Sequence, residues 1–187
     1  MMKIAVYCGT FYPLHVGHLA VMRHLVSSGL FDMVYLIVSP QNPFKDAGNA
    51  LTAAERYDAA VDAVSRHKEL AGKVDVKDIE LHMPPPSYTI RTLDALKERE
   101  QDNDFTLVIG ADNLVRFTGW KEWERIMEDY GIAVYPRSGT DPQPYMATLE
   151  ARFPGKAVLL DADRVDISST EIRDAAACGD RMEKYRM

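Results

Sequence analysis

Six short runs rich in apolar and β-branched residues punctuate the chain: KIAVYC (3–8), MVYLIV (33–38), VDVKDIEL (74–81), FTLVIG (105–110), IAVYP (132–136) and AVLL (157–160). The intervening segments carry helical spacing instead. Leu19, Met22, Leu25 and Val26 repeat at the helical period, and TAAE (52–55) is a capping box opening a helix that ends near His67. Further helices fit 88–99 and 120–129. Strands alternating with helices imply βαβ units with right-handed crossovers. The expected architecture is α/β, a Rossmann-like doubly wound, mostly parallel sheet with helices on both faces. In such sheets ligands sit beyond the carboxyl ends of the strands, where the strand order reverses. With an order 3-2-1-4-5, CGTFYPLH after the first strand and GADN (110–113) after the fourth flank that point.

The 187 residues suit one domain that buries roughly two thirds of its unfolded surface. Cys8 and Cys178 are too few for a disulfide framework and, with no signal peptide, point to reduced thiols in a cytoplasm. MVYLIV falls far short of the ~20 residues a bilayer span needs, so no membrane association is expected. A net charge of −6 argues against a broad nucleic-acid surface, while leaving room for a local anion site.

Two stretches supply such a site. In CGTFYPLHVGHL (8–19), Gly9 permits a tight turn, Pro13 suits a helix approach, and the helix starts at about His15 or Val16. His15 and His18 then share the first turn, where free N–H groups and the positive end of the dipole favour an anion. A zinc pair would need further ligands, and neither an HExxH nor a paired CxxC pattern is present. The second stretch is ISSTEIRDA (167–175). Ser168 and Glu171 have capping-box spacing, and a plain helix cap is the simplest reading of them. Arg173, however, puts a cation in a first turn, against the dipole, which calls for an anion nearby.

The pair TFYPLHVGH (10–18) and ISSTEIR (167–173) resembles the signatures of the HxGH nucleotidyltransferase superfamily. SPQNPFK (39–45), PSYT (86–89), LVIGADN (107–113), FTGW ending at Trp120 and YPR (135–137) stand in the same order as in bacterial nicotinate-nucleotide adenylyltransferases. The resemblance runs over essentially the whole chain and implies one nucleotidyltransferase domain, 1–187. It implies adenylyl transfer from ATP to nicotinate mononucleotide, giving deamido-NAD and pyrophosphate in NAD biosynthesis. His15, His18, Lys45 and Arg173 are the implied catalytic groups. Gly9, Thr10, Phe11, Gly110, Asp112, Ser168, Ser169 and Thr170 would bind ATP, and Ser87, Tyr88, Thr89 and Trp120 the mononucleotide. Mg2+ would ride on the ATP phosphates with no protein ligand. The partners implied are these small molecules, on a monomer or small homo-oligomer.

Three departures stand out against the relatives. Cys8 replaces their usual Gly, Tyr12 replaces Asp or Asn, and the chain stops at Met187 where relatives usually add a short helix. Competing expectations are a transferase with another acceptor, nicotinamide mononucleotide or phosphopantetheine, a cytidylyltransferase, and a nucleotide sensor without catalysis. For Asp112 a helix N-cap competes with ribose binding, and for Trp120 packing beside Trp123 competes with ring stacking. HVGH also resembles the HIGH motif of class I aminoacyl-tRNA synthetases, but there is no KMSKS-like segment.

Overall fold

The computed structural model describes residues 1–40, 51–163, 169, 171–173 and 187. Among them, six strands form one parallel sheet: β1 (Lys3–Gly9), β2 (Met33–Val38), β3 (Val74–Lys77), β4 (Asp104–Gly110), β5 (Ile132–Tyr135) and β6 (Ala157–Leu159), in the order β3-β2-β1-β4-β5-β6. The order reverses at β1, between β2 and β4, as expected for a doubly wound sheet. The helices are α1 (Val16–Ser27), α2 (Ala53–Ser65), α3 (Thr89–Arg99), α4 (Ala111–Leu114), α5 (Trp123–Asp129) and α6 (Gln143–Arg152).

Alternation along the strands divides the core in two. Ile4 and Val6 of β1 join Ile37, Leu107, Ile109 and Val134 under the helices α3, α5 and α6, represented by Leu93, Ile126 and Leu149. Ala5 and Tyr7 face the other way, with Leu36, Val108 and Ala133, onto α1 and α2 through Leu19, Met22, Leu25, Ala60 and Val64. Side chains at successive strand positions point to opposite faces, so continuous apolar runs bury both faces.

The structure revises three sequence expectations. VDVKDIEL is a strand only to Lys77, and Ile79–His82 forms a 3-10 turn. Among the described residues β3 pairs with β2 alone, and β2 ends at Val38, one step beyond the Ile37–Lys77 pair, so the edge strand runs out almost with its partner. The helix expected from Trp120 starts at Trp123, because Phe117–Gly119 closes a 3-10 turn and Glu122 adopts φ +52. The α6 helix forms where the sequence shows no apolar helical spacing, Leu149 being its buried residue.

Candidate active site

The turn after β1 and the start of α1 form the centre of the site. Phe11 has φ +45, uncommon for a residue with a bulky side chain. This backbone turn folds its ring back over Gly9, where an added Cβ would lie 2.9 Å from the ring. The same ring stands edge-on to His18 at 5.0 Å and to Tyr7 at 5.5 Å. Gly9 is thus required by close approach rather than by its own dihedral.

His15 is the N-cap of α1, and its Nδ1 accepts the backbone N–H of Gly17 at 3.1 Å. His18 Nδ1 accepts the backbone N–H of His15 at 3.2 Å. The two imidazoles stack at 3.7 Å and are almost fully buried. Because each Nδ1 is an acceptor, the proton of each neutral ring is assigned to Nε2, which leaves two imidazole N–H donors at one helix start. Burial, then the Arg137 guanidinium, hold His15 down to about 4, with Glu171 opposing. Burial, His15 and Arg137 hold His18 well below the usual histidine range. At neutral pH the pair therefore offers two hydrogen-bond donors without carrying charge.

The second motif comes onto the same turn. Ser169 Oγ donates to the Pro13 carbonyl at 3.1 Å, and Arg173 Nη1 donates to the Tyr12 carbonyl at 2.6 Å. The Arg173 guanidinium also lies over the Tyr12 ring, 5.8 Å from its centroid. Arg173 was expected to need an anion; a carbonyl and an aromatic face already engage it. Tyr12, a departure from the pattern of relatives, supplies both. Ser168 and Thr170 lie outside the described residues, as do Lys45 and Cys178. Thr10 is partly buried at the start of the turn, and burial pushes the Cys8 thiol up, with Glu80 adding to the rise.

The end of β4 borders the turn. Gly110 is the N-cap of α4, and Asp112 lies inside the helix, so the N-cap alternative for Asp112 is removed. The Asp112 carboxylate turns back over Gly110, where a Cβ would meet Oδ1 at 2.3 Å. Arg137 Nε stands 4.0 Å from Asp112 Oδ1. The sequence assigns no role to Arg137 within YPR, yet its field reaches both histidines and Tyr7. The signal was available: it follows β5 by two residues, at the carboxyl edge of the sheet beside β4.

Ser87, Tyr88 and Thr89 are partly buried at the start of α3, whose first turn has no side-chain cap. Tyr88 and Trp120 pack on the same core cluster. Trp120 and Trp123 lie edge-on to Phe117 at 5.6 and 6.0 Å, so the two indoles share Phe117 as a partner. Trp120 remains partly buried.

A doubly wound parallel sheet whose first strand-to-helix turn gathers imidazole donors and guanidinium groups defines a nucleotidyltransferase. A sequence profile described as cytidylyltransferase-like matches residues 6–175. A probable nicotinate-nucleotide adenylyltransferase of Flavobacterium johnsoniae is 35% identical over 182 residues, covering 97% of this chain and 90% of that protein. One of Bacteroides thetaiotaomicron is 37% identical over 174 residues, covering 93% and 81%. Among solved structures, Plasmodium falciparum nicotinic acid mononucleotide adenylyltransferase complexed with NaAD has the same fold, with a TM-score of 0.78 at 20% identity over 100% of this chain and 91% of that one. A putative nicotinate-nucleotide adenylyltransferase from Vibrio parahaemolyticus gives a TM-score of 0.68 at 25% identity over 100% and 94%. The chain belongs to the cytidylyltransferase-like family and, within it, to the nicotinate-nucleotide adenylyltransferases.

Proposed function

We propose that the chain transfers the adenylyl group of ATP to nicotinate mononucleotide. The 5′-phosphate oxygen of the mononucleotide attacks the α-phosphorus, the bond to the oxygen bridging α and β breaks, and nicotinate adenine dinucleotide and pyrophosphate leave. Both reactants are anions, so catalysis consists of alignment and charge stabilisation, with no protein nucleophile. The observation that carries this reading is the meeting of the two motifs: Ser169 and Arg173 reach the carbonyls of Pro13 and Tyr12, beside the stacked histidines.

In this reading the Nε2–H groups of His15 and His18 donate to the ATP phosphates, with His18 nearest the α-phosphate. Gly9, Thr10 and Phe11 line ATP through their backbone, while Arg173, with Ser168, Ser169, Thr170 and nearby amides, takes the β and γ end. Lys45 reaches the reacting phosphates, and Arg137 joins it as a second cation at the strand ends. Gly110 admits the ribose, and Asp112 accepts from its hydroxyls. The uncapped amides of α3, near Ser87, Tyr88 and Thr89, take the nicotinate carboxylate, and Trp120 stacks on the pyridine ring. That arrangement favours the acid over the neutral amide. Magnesium, carried on the ATP phosphates, would supply charge neutralisation there.

The deciding experiment is His18→Ala, with pyrophosphate release measured for nicotinate mononucleotide, nicotinamide mononucleotide and phosphopantetheine in parallel. Loss of one such donor is expected to cut turnover by ~10²–10³ in a folded variant. Near-normal turnover would overturn the role of His18, and consumption of phosphopantetheine alone would overturn the acceptor.

A further inference from the structure

Among the described residues, the buried side-chain polar atoms without a hydrogen-bond partner are Arg56 Nε and Glu80 Oε2. Both lie on one line of contacts beneath the strand ends that none of the roles above uses. Arg56, 2% exposed on α2, gives Nη1 to the carbonyls of Thr10 at 2.6 Å and Ser39 at 2.8 Å, and Nη2 to that of Pro40 at 2.7 Å. Thr10 belongs to the ATP turn. Ser39 and Pro40 follow β2, and the Ser39 N–H donates to the Gly9 carbonyl at 2.8 Å. On the far side, Glu80, also 2% exposed, accepts from Thr92 Oγ1 at 2.8 Å, and the Ser39 side chain acts on the same carboxyl group. Thr92 is fully buried in the first turn of α3, three residues after Thr89.

A buried guanidinium whose bonds among the described residues all go to main-chain carbonyls is a costly way to fill space, since an apolar side chain of similar volume would pack without desolvating a charge. What it does supply is a fixed distance between two loops. The same holds for a buried carboxyl group spent on the Thr92 and Ser39 side chains. Together they span from the turn that receives ATP to the helix that receives the acceptor.

We propose that Arg56, Ser39, Glu80 and Thr92 form a positioning tie that couples the two substrate subsites, so that ordering the Thr10 turn with ATP also sets the α3 start for nicotinate mononucleotide. The proposal rests on the assignment of those two subsites. ATP binding then strengthens acceptor binding, and by linkage the acceptor strengthens ATP binding by the same factor.

Calorimetry with a non-hydrolysable ATP analogue and nicotinate mononucleotide, each alone and in the presence of the other, tests the tie in the full chain. The wild type is expected to show mutual strengthening of about fivefold or more. Thr92→Val keeps the shape and removes one hydrogen bond; its acceptor KM should rise about tenfold, with analogue affinity in the absence of acceptor within about twofold. Mutual strengthening should fall towards unity in Thr92→Val, Arg56→Lys and Glu80→Leu. Glu80→Gln retains an acceptor oxygen for Thr92 and should restore it. Because the parts act as one unit, Arg56→Lys combined with Thr92→Val should reduce coupling no further than the worse single variant. Full coupling in folded Thr92→Val and Arg56→Lys would overturn the proposal, as would independent, multiplying losses in the pair. Failure of the subsite assignment reads differently: His18→Ala would stay active, whereas failure of the tie alone leaves His18→Ala inactive and coupling intact in the tie variants.

Discussion

At the residue scale, the histidine pair shows what spacing conveys and what it does not. HVGH placed both rings on one helical turn, which the sequence makes plain. That each ring uses Nδ1 to satisfy a backbone N–H follows from His15 being the N-cap, a role more often taken by Ser, Thr, Asp or Asn. The consequence is a pH signature. In the unfolded chain a histidine titrates near ~6.5. The folded value for His15 is about 4, with burial as the main cause. Between these values the unfolded state binds more protons than the folded one, so stability is lost as pH falls from ~6.5 towards 4 and is regained as pH rises. His15→Asn keeps a capping side chain and removes the titration. Urea midpoints measured across that window should therefore fall less steeply in His15→Asn than in the wild type; equal slopes would assign the loss to other groups.

At the element scale, the strands were the most legible part, because runs apolar on both faces have no other home than a covered parallel sheet. MVYLIV matched β2 residue for residue. What misled were the ends and the cryptic helix. The α6 segment buries only Leu149, so it carries no apolar helical stripe, and it opens with Pro142 and Pro144, residues that fit a first helical turn. Arg56 and Glu80 were invisible as site neighbours because each sits in a pattern that local reading explains fully, one after a capping box and one in an apparent strand. Gly131 shows a position where the element decides the residue. It ends the α5 turn at φ +72, and a Cβ there would lie 2.6 Å from the Lys156 carbonyl oxygen of the neighbouring strand approach. Gly131→Ala should cost about 1–3 kcal/mol in chemical denaturation. It lies at the amino end of β5, away from the site, so turnover at temperatures where the variant is folded should match the wild type.

At the scale of the whole molecule, the proposed function has a chain of net charge −6 bind two anions through cations gathered where the sheet order reverses. Arg137 and Arg173 come from strand and tail, far apart in sequence, and the imidazoles add donors without charge. Ligand binding to the folded form alone raises stability by mass action: ATP at about a hundredfold over its Kd should add ~2.7 kcal/mol to unfolding. In a thermal titration, Arg173→Ala should need more ATP for the same rise in Tm, and an unchanged titration would remove Arg173 from the phosphate site. The contacts of Ser169 with Pro13 and of Arg173 with Tyr12 join residues 156 and 161 positions apart. A growing chain on the ribosome thus has all six strands available before the segment that fastens its first turn has been made. The fastening of the first turn by Ser169 and Arg173 therefore comes after the sheet itself in the order of synthesis.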